Sequence, residues 1–171
     1  LLGLCACLLI GAAAAQPATA VLDAEAQAWL AEQGPIRLAP DPDFAPVDFI
    51  DVQGRHRGLS ADLWAMLAQR TGLKTQLVRK RRFDEVLQAL RAGEVDVASS
   101  VYQSPGRAQQ LLFSNSYLRL PAALIAAGDS GAITQLSELR GRPIAVVQGH
   151  VWQELLATAG YSAELRPSPS I

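Results

Sequence analysis

The 171 residues carry 15 Lys and Arg against 16 Asp and Glu, a formal net charge of −1, with a sequence pI near 6.1. That balance lacks the basic footprint of a nucleic-acid binder and excludes nucleic acid as an expected partner. Half of the residues (50%) are hydrophobic, and the 2 cysteines, Cys5 and Cys7, both fall in the first few residues, so the rest of the chain has neither a disulfide framework nor a thiolate metal site.

The chain begins at Leu1 with LLGLCACLLIGAAAA, followed by small-x-small sites at Ala13–Ala15 and Ala18–Ala20. This pattern is the h-region and cleavage zone of a secretory signal peptide, expected over residues 1–20 with its charged n-region missing. The run is shorter than the roughly 20 residues of a spanning helix. A signal anchor starting upstream of Leu1 stays open as the alternative. Leu4-Cys5-Ala6-Cys7 outlines a lipoprotein cleavage box, but the apolar run continues past Cys7 and favours ordinary h-region residues. An exported domain without disulfides must rest on a substantial apolar core.

Residues 21–34 (VLDAEAQAWLAEQG) predict a short amphipathic lead-in helix with Leu22, Ala26, Trp29 and Leu30 on one face, stopped by Gly34-Pro35. Ile36–Ala39 reads as a strand ended by Pro40-Asp41-Pro42-Asp43, and VDFIDVQGRHRG as a hairpin turning at Gln53-Gly54. Ser60 is placed to cap a helix that carries Leu63, Trp64, Leu67 and Ala68 inward and ends at Gly72. Lys74–Val78 alternates as a strand. Asp84 is placed to cap a second helix burying Val86, Leu87 and Leu90 before Gly93, and Val95–Ala98 is the third strand. The β-α-β-α-β order with short links implies right-handed crossovers and a parallel sheet in a first lobe over residues 35–121.

From Pro121 the chain reads as a strand leaving that lobe, and residues 122–171 as a hinge strand and partial second lobe. That lobe offers a helical turn or two at Leu136–Gly141, a strand at Pro143–Val147, a helix at Val151–Ala159 and a Pro/Ser-rich loop. One βα unit cannot bury its own apolar faces, so the second lobe is expected to be incomplete and the chain a fragment.

The segment Gly93–Tyr117, GEVDVASSVYQSPGRAQQLLFSNSY, carries the chemistry. It sets hydroxyls, helix N-terminal amides and one fixed positive charge at the carboxyl end of a strand, where open α/β sheets build sites for small anions. The Arg107 guanidinium can clamp a carboxylate through two parallel hydrogen bonds, against the alternative of a solvated first-turn charge. Ser99, Ser100 and Tyr102 can hold a ligand or simply cap the turn. Asp41 can accept from a ligand amine or order the Pro-rich turn, and Phe44 and Phe83 can be ligand walls or plain core. Gly149 and His150 open a helix after a strand, so their amides can meet an anion from the second lobe or form an ordinary turn. Arg79-Lys80-Arg81-Arg82 is either a solvated run or a steering patch. His56 and His150 lack companions at metal spacing, no cofactor motif is present, and no Glu or His pairs convincingly with Arg107.

The phrases IRLAPDPDFAP, GLSADLWAMLAQRTGL, FDEVLQALRAGEVDVA, SPGRAQQLLFSNSYL and LSELRGRPIAVVQG, in that order over residues 35–150, resemble the periplasmic solute-binding proteins of family 3. The resemblance implies an α/β two-lobed Venus-flytrap (periplasmic-binding-protein) fold that traps a ligand between closing lobes. The opening LDAEAQAWLAEQGPIRLAPDPDFAPVDFID is similar to the lead-in of the sensor modules in BvgS-like hybrid histidine kinases, and Ser-Pro-Gly-Arg to their Thr-Pro-Glu-Arg. It further implies that Arg107 holds a ligand carboxylate, that Asp41, Phe44 and Phe83 line the first-lobe wall near Ser99, Ser100 and Tyr102, and that Gly149 and His150 face them. Val151 stands where amino-acid binders usually offer a hydroxyl, and Val47 where an aromatic is common, which counts against an amino-acid ligand and leaves a small carboxylate acceptable.

The expected function is therefore extracytoplasmic binding of a small carboxylate or amino-acid-like ligand by a periplasmic sensor domain, itself without catalytic activity. The resemblance implies a homodimer tied to the inner membrane. The alternatives are a free binding protein serving an importer permease, and an enzyme on the same fold.

Overall fold

The computed structural model describes residues 22–126, 128, 131 and 133–169, so the expected signal peptide lies outside the described residues. The first helix, α1 (Ala24–Glu32), is opened by Asp23, whose carboxylate accepts from the Ala26 amide at 2.8 Å. None of its residues is buried and Trp29 is half exposed, so the expected inward face stands clear of the core. That face includes an alanine and a half-open tryptophan, which offer tertiary packing little buried area.

The strand β1 (Ile36–Ala39) ends in two buried residues, Leu38 and Ala39. Next come β2 (Asp43–Phe44), β3 (Asp48–Ile50) and β4 (His56–Arg57), a small antiparallel sheet in that order. The β3–β4 link is the expected hairpin, and Gly54 at φ +77° supplies its left-handed residue.

Helix α2 (Leu59–Thr71) ends at Gly72 in the left-handed conformation, as expected. Its N-cap is Gly58, not Ser60. Gly58 has φ +102°, and a Cβ there would meet the Val47 carbonyl oxygen at 2.5 Å, so the turn admits only glycine. Ser60 instead lies buried in the first turn with its hydroxyl 2.9 Å from that of Tyr117. Leu63 and Leu67 are 36% and 45% exposed, which overturns the expected inward face. The helix rests on β3 and β4, while Trp64 Nε1 donates to Thr75 Oγ1 at 2.9 Å.

After β5 (Thr75–Leu77) comes α3 (Phe83–Arg91), capped by Arg82 rather than Asp84. Asp84 accepts from the Arg82 guanidinium at 2.9 and 3.1 Å and is thereby diverted from capping. Phe83, Val86, Leu87 and Ala89 are buried. With β6 (Val97–Ala98) the first sheet runs β5-β1-β6 among the described residues, all parallel, with Leu38 opposite Leu77 on one side and Val97 on the other. The core joins α3 to Ala39 and Val95 at that sheet. Each of its large side chains contributes about 1.5–3 kcal/mol by leaving water.

The short α4 (Pro105–Ala108) has Pro at its start and Ser104 as N-cap. Residues 111–126 then form neither helix nor strand, so the expected strand from Pro121 is not made. An apolar run supplies strand propensity, but a strand also needs a neighbour's hydrogen bonds. A 3-10 turn at Leu136–Leu139 precedes β7 (Ile144–Val147) and α5 (Val151–Leu156). The expected helix through Ala159 gives way to a π turn at Ala157–Tyr161, with Gly160 at φ +86°. The expected Pro/Ser-rich loop contains β8 (Leu165–Ser168), parallel to β7, with Pro167 opposite Val146. Proline is tolerated there because β8 is an edge strand. Leu139, Ile144, Val146 and Tyr161 form a second, smaller core.

Candidate functional site

Residues beyond the carboxyl ends of β1 and β6 meet the start of α5 along the crevice where the two lobes face each other, with Asp41 near His150 and Arg107 bonded to Gly149. Asp41 follows β1, is 4% exposed, and accepts from the Asp43 amide at 2.9 Å, which orders the Pro-rich turn. Its other oxygen lies 3.5 Å from His150 Nε2. The His150 ring stands edge-on to Phe83 at 5.0 Å and to Phe44 at 6.1 Å. Phe44, Phe83, Asp41 and His150 therefore form one aromatic-walled cluster across the crevice, with His150 brought in from the second lobe.

Arg107 sits on α4 and is 4% exposed, so it is not a solvated surface charge. Its Nη1 donates to the Tyr102 carbonyl at 2.9 Å and its Nη2 to the Gly149 carbonyl at 2.7 Å. Its guanidinium carbon is 5.7 Å from the centre of the Phe83 ring. Burial lowers its pKa, the Glu154 carboxylate opposes that shift, and the Arg91 charge adds to it. Glu154 Oε2 lies 3.8 Å from Arg107 Nε, and both oxygens of Glu154 accept from the Ser104 hydroxyl at 2.8 Å. The expectation that no Glu pairs with Arg107 is thus corrected: Glu154 reaches it from α5.

The amides expected to meet an anion are engaged. The Arg107 N–H donates to Ser104 Oγ at 3.3 Å, the Gly149 N–H to Gln153 Oε1 at 3.0 Å and the His150 N–H to the Val147 carbonyl at 3.1 Å. Gly149 meets Arg107 with its carbonyl instead. Ser99 also points elsewhere: its hydroxyl donates to Asp48 Oδ2 at 2.7 Å, and its carbonyl accepts from the Tyr117 hydroxyl at 2.7 Å. Ser100, Tyr102 and Phe44 line a cavity of about 130 Å³ together with Val47, Phe113 and Tyr117, and Arg107 is not part of its wall. The Tyr102 ring packs 6.1 Å from Trp152, and burial raises its phenol pKa. Val151 is 2% exposed and packs inward, so the missing hydroxyl there leaves an apolar contact.

The basic run is paired within its own lobe. Lys80 meets Glu94 at 2.9 Å, Arg81 meets Glu85 at 3.8 Å, Arg82 meets Asp84 at 2.9 Å, and Arg79 donates to the Gly54 carbonyl at 3.3 Å. This favours the solvated-run reading over a free steering patch.

Sequence reasoning missed three groups that shape the crevice. Asp48 is fully buried, accepting from the Asp41 amide (3.0 Å) and Ser99 Oγ (2.7 Å) and lying 2.5 Å from His56 Nε2. Ser104 and Glu154 join the two lobes across 50 residues of chain. The one local trace of Glu154 is Gly106, the small residue in Ser-Pro-Gly-Arg: a Cβ there would lie 2.6 Å from Glu154 Oε1.

A family model for bacterial extracellular solute-binding proteins, family 3, matches residues 36–166. The virulence sensor protein BvgS of Bordetella bronchiseptica is 31% identical over 125 residues, 73% of this chain and 10% of that protein. The lysine/arginine/ornithine-binding periplasmic protein of Escherichia coli is 29% identical over 129 residues, 75% of this chain and 49% of that protein. Among solved structures, a histidine kinase sensor domain with similarity to periplasmic binding proteins superposes with a TM-score of 0.69 at 30% identity, over 80% of this chain and 59% of that one. The chain spans only a tenth of BvgS and about half of the Escherichia coli relative. Its relatives include a periplasmic protein and periplasmic domains, and the fold is that of a Venus-flytrap domain represented in part. The parallel first sheet, the short βαβ second lobe and the match over residues 36–166 together make this chain a member of the bacterial extracellular solute-binding proteins, family 3.

Proposed function

We propose that this domain is the periplasmic ligand-binding part of a membrane-anchored histidine kinase sensor, and that it binds a small carboxylate-bearing ligand between its lobes through Arg107. The observation that carries the reading is the buried guanidinium at the lobe junction, reaching Tyr102 on one side and Gly149 on the other. A guanidinium so placed exchanges carbonyl partners for a ligand carboxylate at little reorganisation cost. Asp41, Phe44, Phe83 and His150 would then close around the rest of the ligand, with Ser100 and Tyr102 at its edge. Ser99 contributes through Asp48 and not by touching the ligand. The ligand acts by favouring one arrangement of the lobes, which can be no larger a bias than its differential affinity for the two.

The sensor reading rests on the lead-in helix α1 ahead of β1 and on the likeness to sensor domains. A free binding protein serving an importer is the second reading, supported by the likeness to the Escherichia coli periplasmic protein. Thermal-shift measurements on the full chain against acetate, succinate, glutamate and arginine test the ligand class. Stabilisation by at least one carboxylate, lost in Arg107→Ala, is expected. Equal stabilisation of the variant defeats the assignment of Arg107. Ligand-dependent autophosphorylation of the full-length protein in membrane vesicles separates the sensor from the importer component.

A further inference from the structure

A carboxylate of this chain already stands beside the proposed anchor, Arg107. Glu154 projects from α5 in the second lobe and sets both oxygens on the Ser104 hydroxyl of the first lobe at 2.8 Å, with Oε2 3.8 Å from Arg107 Nε. The backbone of Gly106 forms the floor beneath it, so close that a Cβ would come within 2.6 Å of Oε1. The same junction carries the Arg107–Gly149 bond at 2.7 Å and the His150–Asp41 approach at 3.5 Å. Glu154 thus draws on the guanidinium that a ligand carboxylate would require and holds the Ser104 hydroxyl beside it.

We infer that Glu154 is a built-in surrogate for the ligand: its carboxylate latches the lobes together on Ser104 and Arg107, and a ligand carboxylate binds by displacing it. The inference rests on the proposed carboxylate site and names its regulation. An intramolecular competitor reduces apparent affinity by the fraction of molecules in which it has let go. It is also present at the millimolar effective concentrations typical of tethered groups. Glu154 is therefore a specificity determinant: a ligand whose only asset is one carboxylate gains little by exchanging for it, whereas one that also engages Asp41 or His150 gains those contacts in full.

Two variants release the latch by different means. Glu154→Gln removes the charge and keeps the shape. Gly106→Ala keeps the charge and pushes the carboxylate off its floor, and since Gly106 does not have a positive φ, alanine suits the helix there. Spin labels at Gln88→Cys in the first lobe and Thr158→Cys in the second, both exposed positions, report the lobe separation without ligand in the full chain with Cys5 and Cys7 replaced by serine. Both variants are expected to shift the distance distribution to longer values, and Glu154→Gln to lower the apparent Kd for a carboxylate of the panel by about tenfold or more. An unchanged distance in both variants overturns the latch, even where carboxylates bind through Arg107. A lengthened distance with no carboxylate bound by either form upholds the latch and removes the carboxylate reading, so the two claims fail separately.

Discussion

Asp48 holds the first-lobe edge of the crevice together, and its removal has a cost that follows from its partners. The residue is 0% exposed and takes hydrogen bonds from the Asp41 amide at 3.0 Å and Ser99 Oγ at 2.7 Å, with His56 Nε2 at 2.5 Å. Asp48→Ala leaves the Asp41 N–H buried without an acceptor, which costs about 1–3 kcal/mol. Ser99 and His56 are only partly buried and recover some hydration, so each adds about 1 kcal/mol. The total of about 3–5 kcal/mol is a large share of the roughly 5–15 kcal/mol that holds a typical domain. Asp48→Asn keeps one acceptor oxygen and is expected to lose about half as much. Urea unfolding followed by far-ultraviolet circular dichroism gives the stability difference, and hydrogen exchange at the Asp41 amide reports the local loss. A change below about 1 kcal/mol in Asp48→Ala, with the Asp41 amide still protected, would refute this account of the buried carboxylate.

Arg107→Ala removes two charge-assisted bonds to carbonyls, the one to Gly149 crossing the lobe junction and the one to Tyr102 within the first lobe, and a loss of about 3 kcal/mol in urea unfolding, together with loss of any carboxylate-induced thermal shift, is expected. The Asp96 carboxyl is held at about 2, below its ordinary 3.8, chiefly by the Arg37 hydrogen bond. Its folded pKa is depressed, so the pair's contribution is present above 3.8 and lost as pH falls through about 2. Arg37→Gln should return the Asp96 titration, read by NMR, toward the ordinary value, and its stability difference from wild type should fade as pH drops below about 2. In the core, Leu87→Ala should cost about 2–4 kcal/mol, whereas Leu63→Ala on the half-open face of α2 should cost about 1 kcal/mol or less. Equal losses at the two leucines would contradict the burial assigned to α2.

Where local pattern and partner agreed, the fold was legible in the residues. Ile36–Ala39, Thr75–Leu77 and Val97–Ala98 fell inside the expected strands, and α3 buried Val86 and Leu87 as its period required. The expected N-caps at Ser60 and Asp84 failed, though the Gly72 C-cap formed, because capping is a competition that a distant or stronger partner can win. Tyr117, 57 residues away, takes the Ser60 hydroxyl, and the nearby Arg82 guanidinium takes Asp84. The α2 face and the run from Pro121 failed for a related reason: apolar periodicity marks a surface that can be buried and says nothing of what covers it. The site divided along the same line. Arg107, Asp41, Phe83 and His150 sit at element ends that the motifs mark, and they meet. Glu154 acts across 50 residues of chain and leaves only the small side chain of Gly106 as its local mark.

The backbone amides, the guanidinium and the Ser104 hydroxyl at the lobe junction are satisfied from within, and this sets the terms on which a ligand can bind there. The Gly149 and His150 amides, the Arg107 fork and the Ser104 hydroxyl each have a protein partner. At these groups a ligand exchanges hydrogen bonds and does not add them, and exchange between like acceptors is close to neutral, whereas leaving a buried group unpaired costs about 1–3 kcal/mol. Its net affinity has to come from what the protein cannot offer itself. Within this crevice that means the partly exposed Phe44 ring, the Ser100 and Tyr102 hydroxyls, and the Asp41–His150 pair, which at 3.5 Å is a looser contact than the Arg107 and Ser104 bonds, whereas Phe83 is already packed into the core. A ligand with an apolar body and a hydrogen-bonding group at the far end from its carboxylate meets that requirement, and a bare carboxylate does not.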